Sequence, residues 1–314
     1  MPDPSNAKGT HSGEYVVPAD IINSVKSGKC ILFLGAMASA PSPPGCKYVY
    51  DKCPPGGGQL SQRLAEEFSY PENDKTSLQR VSLFGEFGPL GSRNRLVEAV
   101  IREIARPEGE VPANFRMEPS PALRMLAALP FRVIITTNYD KLFDTALANA
   151  KTLSGLAKNP IVRIYDPTRN GPPEEVPDES GEENPILLKL HGDVGKYESL
   201  VITEEDYITF IQRMADTHLQ PIHDYIRTKM RAWPFLFIGY SLKDYNLRLL
   251  FRTLRYGVDM SYIKPSFSVD PYPDNLVVAV WQRANPPMVN FIPEDLWKFV
   301  PALYRAVIGK EYQA

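Results

Sequence analysis

Four short apolar runs, each followed at once by small or polar residues, constrain the fold of this chain more than any other feature. The runs are Cys30–Leu34, Val133–Ile135, Ile186–Leu190 and Phe235–Ile238. Runs of this length and composition are typical of buried parallel strands. With helical patterns between them, they predict an α/β fold, a Rossmann-like parallel sheet with helices on both faces.

The segments that follow the four runs carry side chains suited to binding a ligand. These segments are Gly35-Ala36-Met37-Ala38-Ser39, Thr136-Thr137-Asn138-Tyr139-Asp140, His191-Gly192-Asp193 and Gly239-Tyr240-Ser241. In open α/β sheets, ligands bind just beyond the carboxyl ends of the strands. We therefore predict one site, assembled from all four segments.

Two of these segments are candidates for phosphate or sugar binding. A strand, a glycine such as Gly35 and a helix in succession can offer backbone N–H groups to a pyrophosphate, and Ser39 could donate to the same group. Gly239 would let backbone approach a ligand closely, and Ser241 could bond an oxygen of the ligand. A plain turn between strand and loop would also explain the first segment.

The other two segments offer candidates for proton transfer and orientation. Asn138 carries both a donor and an acceptor, although it could equally cap a helix beginning at Tyr139. His191 can accept a proton near neutral pH, although a His-Gly pair often only marks a turn. Asp244 and Asn246 are expected to cap and tether the helix after Ser241.

Together the segments resemble the sirtuin family, and more closely its bacterial SIR2-like branch associated with anti-phage defence. The matching motifs are the Gly35–Ser39 loop, Thr-Asn-x-Asp at 137–140, Leu-His-Gly at 190–192 and Gly-Tyr-Ser-x-x-Asp-x-Asn at 239–246. The resemblance implies that Asn138 and His191 are catalytic. It implies an NAD site that includes Gly35, Ala36, Ser39, Thr137, Asp140, Gly239, Tyr240 and Ser241.

Three functions are compatible with this resemblance. The leading one is an NAD-consuming hydrolase that releases nicotinamide and ADP-ribose as a defence effector. A protein-lysine deacylase is disfavoured, because the deacylase sirtuins hold zinc with four cysteines and this chain has three, Cys30, Cys46 and Cys53. We therefore expect no metal. A catalytically silent module that binds NAD or ADP-ribose as a sensor or assembly subunit is the third, because Met37 replaces a glycine of the sirtuin pattern and prolines follow it.

The rest of the chain predicts one large domain over residues 18–314 after a disordered tail, 1–17. A mostly helical insertion is expected at about 42–125, with Arg93 and Arg95 on a solvated face.

Residues 166–184 form a Pro-rich segment with seven acidic residues and one arginine. We expect this acidic loop to be disordered and to hang near the cleft mouth, as a gate or as inert surface. Helices are predicted at 59–68, 76–87, 93–105, 121–129, 203–214, 220–232, 275–281 and 293–307, and further strands at 161–164 and near 267.

The composition of the chain argues against nucleic acid and membranes as partners. A net charge of −2 gives no basic field for nucleic acid, and no apolar run is long enough to cross a membrane. Three cysteines do not make a disulfide framework, so a reduced, cytoplasmic protein is expected. With no recognisable sensor domain, the resemblance implies a homo-oligomer, or a chain that works with a HerA-type ATPase or a short Argonaute.

Overall fold

The computed structural model describes residues 15–106, 117–177, 179–216, 218–243, 248–249, 251, 264–283 and 287–313. Within these residues the strands are β1 (Ile31–Leu34), β2 (Val133–Thr136), β3 (Ile161–Ile164), β4 (Ile186–Lys189), β5 (Phe235–Ile238), β6 (Ser266–Val269) and β7 (Val289–Ile292). They form one seven-stranded sheet in the order β3-β4-β2-β1-β5-β6-β7. Every neighbouring pair is parallel. The predicted α/β fold is confirmed.

Successive side chains of each strand point to opposite faces of the sheet, so the sheet carries an apolar core on each face. In β1, Leu32 and Leu34 face one apolar core, while Ile31 and Phe33 face another. Helices α1 (Ala19–Lys26), α5 (Pro121–Ala128), α6 (Leu142–Ala148) and α10 (Leu296–Ile308) contribute to the first core. Helices α7 (Glu204–Ala215), α8 (Asp224–Ala232) and α9 (Asn275–Gln282) contribute to the second.

The helical insertion has an apolar core of its own. Helices α2 (Gly57–Glu67), α3 (Leu78–Phe87) and α4 (Arg93–Ile104) bury residues such as Leu64, Phe68 and Val100 against one another. The predicted helical periodicity is confirmed here. The predicted boundary at 125 is too late, because α5 packs against α6 and α10 in the main domain.

Arg93 is not on a solvated face, contrary to expectation. Its Nη1 pairs with Asp206 Oδ2 at 2.7 Å and with Glu86 Oε2 at 3.2 Å. Its Nη2 donates to the carbonyl oxygen of Leu200 at 2.6 Å. Arg93 therefore ties the insertion to the start of α7, a long-range contact that local sequence does not reveal.

The acidic loop also differs from expectation. Val176 is buried in the core beneath α7 and α8, and Ser180 is buried with its Oγ 2.8 Å from Tyr225 Oη on α8. Arg163 on the edge strand β3 donates to the carbonyl of Glu175 at 2.9 Å. The described part of the loop is thus anchored along the outer edge of the sheet, and none of its described residues lines the cleft presented below.

Smaller differences concern boundaries. The expected tail includes Val17, which is buried, and Tyr15, whose ring lies 5.8 Å from that of Phe299. Strand β7 has no counterpart in the prediction, and α8 begins at Asp224 rather than near residue 220. Asp244 and Asn246 lie outside the described residues. Among the helices that the structure describes, none is long and apolar enough to span a membrane.

Candidate active site

The four polar segments follow strands β4, β2, β1 and β5, which are neighbours in the sheet. Because all four strands run in parallel, their carboxyl ends meet at one edge. A cleft of about 360 Å³ lies there, within the range of about 300–1,000 Å³ typical of small-molecule sites. The sheet contributes to its lining Ala36, Met37, Thr137, Asn138, Tyr139, Asp140, His191, Gly239, Tyr240 and Ser241.

Asn138 is held in a fixed orientation in the turn after β2. Its backbone N–H donates to Thr136 Oγ1 at 3.0 Å, and its Nδ2 donates to the carbonyl of Gly35 at 3.1 Å. Its Oδ1 is buried and accepts no hydrogen bond from the described protein atoms. An unsatisfied buried acceptor costs about 1–3 kcal/mol, so a ligand hydroxyl or a water that donates to Oδ1 would be favoured.

The helix-cap explanation of Asn138 is wrong, because the N-cap residue of α6 is Lys141, three residues further along the chain. Helix α6 begins at Leu142, and Asp140 Oδ1 accepts the Leu142 N–H at 2.8 Å. Burial raises the pKa of the Asp140 carboxyl above its usual 3.8, although the Leu142 N–H and Lys189 oppose that rise. Asp140 lines the cleft while it orders the turn that carries Asn138.

His191 is buried at the wall of the cleft, with 7% of its surface exposed. Its Nδ1 lies 3.4 Å from Tyr207 Oη, and its ring packs edge-on against Tyr207 and Phe210. Because a tyrosine hydroxyl can donate or accept, this contact orients the ring in either tautomer. The next residue, Gly192, has φ +90°, and a Cβ there would lie 2.2 Å from the Ser199 carbonyl oxygen. The glycine of the Leu-His-Gly motif is thus required by a close backbone approach.

The loop after β1 uses its N–H groups within the protein. The N–H groups of Gly35 and Met37 donate to the carbonyls of Ile238 and Gly239, at 3.0 and 3.1 Å. Gly239 has φ +68°, and a Cβ there would lie 1.9 Å from the Ala38 nitrogen. Gly239 therefore permits close approach of the β1 and β5 loops to each other, rather than only of backbone to a ligand.

Most residues predicted for the NAD site meet at the cleft. Ala36, Thr137, Asp140, Gly239, Tyr240 and Ser241 all line it. Gly35 lies just behind the lining, where its carbonyl holds Asn138. Ser39 is 1% exposed, its Oγ lacks a partner among the described residues, and it does not line the cleft. The structure does not bring Ser39 to the site.

Sequence reasoning missed the opposite wall of the cleft. Pro54, Pro55, Gly57, Gly58 and Leu60 line it from the insertion side, and Tyr207 lines it from α7. The Pro-Pro-Gly-Gly-Gly run at 54–58 was a detectable signal, because proline and glycine shape tight turns at helix starts. No described cluster of His, Cys, Asp or Glu residues could hold a metal ion.

Comparison with known proteins bears out the motif-based resemblance. A family model described as SIR2-like domain matches residues 132–285, which include three of the four motifs but not the Gly35 loop. The NAD(+) hydrolase ThsA of Acinetobacter baumannii (strain 532279) is 26% identical over 237 residues, or 75% of this chain and 41% of that protein. Defense-associated sirtuin 2 of Bacillus subtilis is 32% identical over 155 residues, or 48% of this chain and 13% of that protein.

A third relative extends the same pattern. The NAD(+) hydrolase ThsA of Cytobacillus dafuensis is 27% identical over 196 residues, or 62% of this chain and 34% of that protein. The chain thus spans less than half the length of each of these relatives.

Proposed function

We propose that this chain, which carries a SIR2-like domain, hydrolyses NAD to nicotinamide and ADP-ribose. The observation that carries the proposal is the buried Asn138 Oδ1, an acceptor with no partner among the described residues, in a cleft also lined by His191. Four matched relatives bear the name NAD(+) hydrolase, which supports the same chemistry.

The reaction breaks the bond between C1′ of the nicotinamide ribose and the pyridinium nitrogen. The electron pair of that bond moves to the ring nitrogen, so nicotinamide leaves as a neutral molecule. Positive charge builds on the ribose, as it does in glycoside cleavage, and a water oxygen forms the new bond to C1′. The water proton is then released, so that NAD and water yield nicotinamide, ADP-ribose and one proton.

The two polar side chains would act on different parts of this step. Asn138 Oδ1 would accept from a ribose hydroxyl or from the attacking water, because its amide is already fixed by its bond to Gly35. His191 would take the proton from that water, and the contact of its Nδ1 with Tyr207 would fix the ring for this purpose.

A second candidate function is a silent module that binds NAD or ADP-ribose, because Met37 stands where the sirtuin pattern has a glycine. The N–H groups of Gly35 and Met37 are bonded to backbone carbonyls, which leaves neither of them for a pyrophosphate in this arrangement. On that reading Asn138 would hold a ribose hydroxyl without any bond being broken.

Free nicotinamide measured after incubation of the pure protein with NAD tests these functions. Release from NAD alone is the expected result. Release only with an acetylated peptide would indicate a deacylase, and NAD binding by calorimetry without release would indicate the silent module. If the protein neither releases nicotinamide nor binds NAD, the proposal is contradicted altogether.

The cellular role that we propose is NAD depletion in a cytoplasmic defence response to phage. The relatives named for defence and NAD hydrolysis support this role. Because NAD depletion is toxic, we further propose regulation by assembly, as a homo-oligomer or with a HerA-type ATPase or short Argonaute. Mass measurement of the purified chain, with activity followed across concentrations, tests this: full turnover by a verified monomer would contradict it.

A further inference from the structure

Lys189, the last residue of β4, is a fully buried lysine at the junction of two site segments, with 0% of its surface exposed. It precedes the Leu-His-Gly motif and is not among the residues that line the cleft. A buried ammonium group is costly unless acceptors surround it, so its partners show what it is used for.

The partners of Lys189 come from both segments. On the His191 side, its Nζ pairs with Asp193 Oδ2 at 2.5 Å, and Asp193 is itself 1% exposed. On the Asn138 side, Nζ donates to the carbonyl of Asp140 at 2.5 Å and lies 3.5 Å from that of Tyr139. It is also 3.4 Å from Asp144 Oδ2 on α6.

Asp193 extends the contact into the turn after His191. Its Oδ1 accepts the Gly195 N–H at 2.7 Å, and its own N–H donates to Ser199 Oγ at 3.0 Å. Lys189 and Asp193 together therefore join the turn that carries Asn138 to the turn that carries His191. Their burial protects this junction from solvent screening, unlike a surface ion pair.

We propose that Lys189 is the positioning residue of the site, which holds the Asn138 and His191 turns at the separation that NAD cleavage requires. The proposal rests on the proposed function, because it assigns a separation to be maintained between two residues that act on one substrate. Displacement of a catalytic group by about 1 Å can lower a rate by about 10²-fold. A positioning residue should therefore affect kcat more than KM.

The test uses the full chain and three variants. Lys189→Met removes the charge and leaves Asp193 buried without it, which should lower both the melting temperature and the turnover. Lys189→Met/Asp193→Asn removes both charges, and the amide oxygen can still accept from Gly195. Since paired removal of buried charges is often tolerated, this double variant should regain melting temperature. Its kcat should stay about 10²-fold below wild type, because the buried charged link is lost and only backbone bonds such as Val194 N–H to the Tyr139 carbonyl still join the two turns.

Lys158→Met is the matched control. Lys158 is also buried, at 2% exposed, and its Nζ donates to the carbonyls of Ala127 and Leu129 at 2.9 and 2.7 Å. It is not among the cleft-lining residues. Lys158→Met should lower the melting temperature and leave kcat unchanged.

Two results would overturn the proposal. One is recovery of both melting temperature and kcat in the double variant, which would make Lys189 only the counter-charge of Asp193. The other is a Lys189→Met protein that folds and keeps wild-type kcat.

A readout without turnover separates this proposal from the proposed function. If wild type releases no nicotinamide, the proposed function fails, while imidazole NMR of the four histidines still tests the positioning role. The His191 resonance should move in the double variant and stay in place in Lys158→Met. An unmoved His191 resonance in the double variant would overturn the proposal.

Discussion

The two sides of the cleft floor use their polar groups in opposite ways. On the side formed by β2 and β4, Asn138 has a buried acceptor that no residue in the described part of the chain donates to, and His191 packs against two aromatic rings. On the side formed by β1 and β5, the N–H groups of Gly35 and Met37 donate to carbonyls of the neighbouring loop. The β2–β4 side thus retains a hydrogen-bond acceptor for a ligand. On the β1–β5 side, these two N–H groups instead join the ends of two strands.

Segments that lie at the same edge of a sheet can therefore have different roles, some in binding a ligand and others in holding the fold together. The β1–β5 side resembles a phosphate-binding turn by sequence, yet the Gly35 and Met37 N–H groups there already donate to backbone carbonyls, so a pyrophosphate would have to replace those two bonds to use them. The β2–β4 side needs no such rearrangement. We therefore expect substitutions on the β2–β4 side to affect chemistry first, and those on the β1–β5 side to affect stability first.

The largest expected effect follows from Asn138→Ala or His191→Ala. Loss of a positioned acid–base or orienting group typically lowers a rate by about 10²–10⁴-fold, and under the proposed function the two losses should be far from additive, since both residues would act on one transition state. Nicotinamide release gives the rates, and melting curves show that each variant is folded at the assay temperature. Asn149→Ala and His218→Ala, both at exposed positions, are the controls. Full activity in both site variants would show that the catalytic assignment is wrong.

The next largest effect concerns stability on the β1–β5 side. Gly239→Ala places a Cβ 1.9 Å from the Ala38 nitrogen at φ +68°, so the two loops must separate. Backbone strain of this kind costs about 1–3 kcal/mol, and the steric overlap adds to it. Gly309→Ala is matched, since Gly309 has φ +82° but nothing within 4 Å of a new Cβ. Equal losses in chemical denaturation would mean that the loop–loop contact does not matter.

A smaller effect, on pH dependence, is expected from Asp140→Asn. Because burial raises the pKa of Asp140 in the folded protein above 3.8, the folded state binds the proton more tightly than the unfolded state does. Its contribution to stability therefore falls as pH rises from about 3.8 through the raised pKa. Asparagine keeps an acceptor for the Leu142 N–H but does not titrate. The stability of the variant relative to wild type should rise across this interval in denaturant titrations at several pH values; a constant difference would contradict the raised pKa.

The smallest effect on turnover is expected from the acidic loop. Val176→Ala removes two methyl groups from a buried site and should lower the free energy of unfolding by about 1–2 kcal/mol. Turnover should be unchanged, because no described residue of the loop lines the cleft. A change in kcat measured well below the melting temperature would instead support the gate interpretation.

Local patterns explain what the sequence could reveal. Strands β1 and β5 are continuous apolar runs, and β2 and β4 are apolar up to Thr136 and Lys189 at their carboxyl ends. Their buried parallel pairing was therefore predictable, and this pairing places Asn138 and His191 at one edge of the sheet. Strand β7 was not predictable in the same way, since Val289–Ile292 is partly exposed and interrupted by Asn290.

Contacts between distant segments explain what the sequence could not reveal. The acidic loop is anchored by one valine and one serine within a composition typical of disorder. The roles of Arg93 and Gly239 depend on residues far away in the chain, and so do the bonds of Lys189 to Asp140 and Asp144. No local pattern distinguishes an arginine that is exposed to solvent from one that joins the insertion to α7.

The central position of β1 also determines when the site exists during synthesis. β1 is made well before β5, yet Ile31 on β1 pairs with Phe235 on that later strand. Contacts of such wide sequence separation form slowly and complete the structure late. A growing chain that has already exposed Asn138 and His191 still lacks β5 and the Gly239 turn that fixes the β1 loop. The cleft is therefore complete only after β5 has left the ribosome, and a shorter chain that already holds both Asn138 and His191 lacks part of the candidate site.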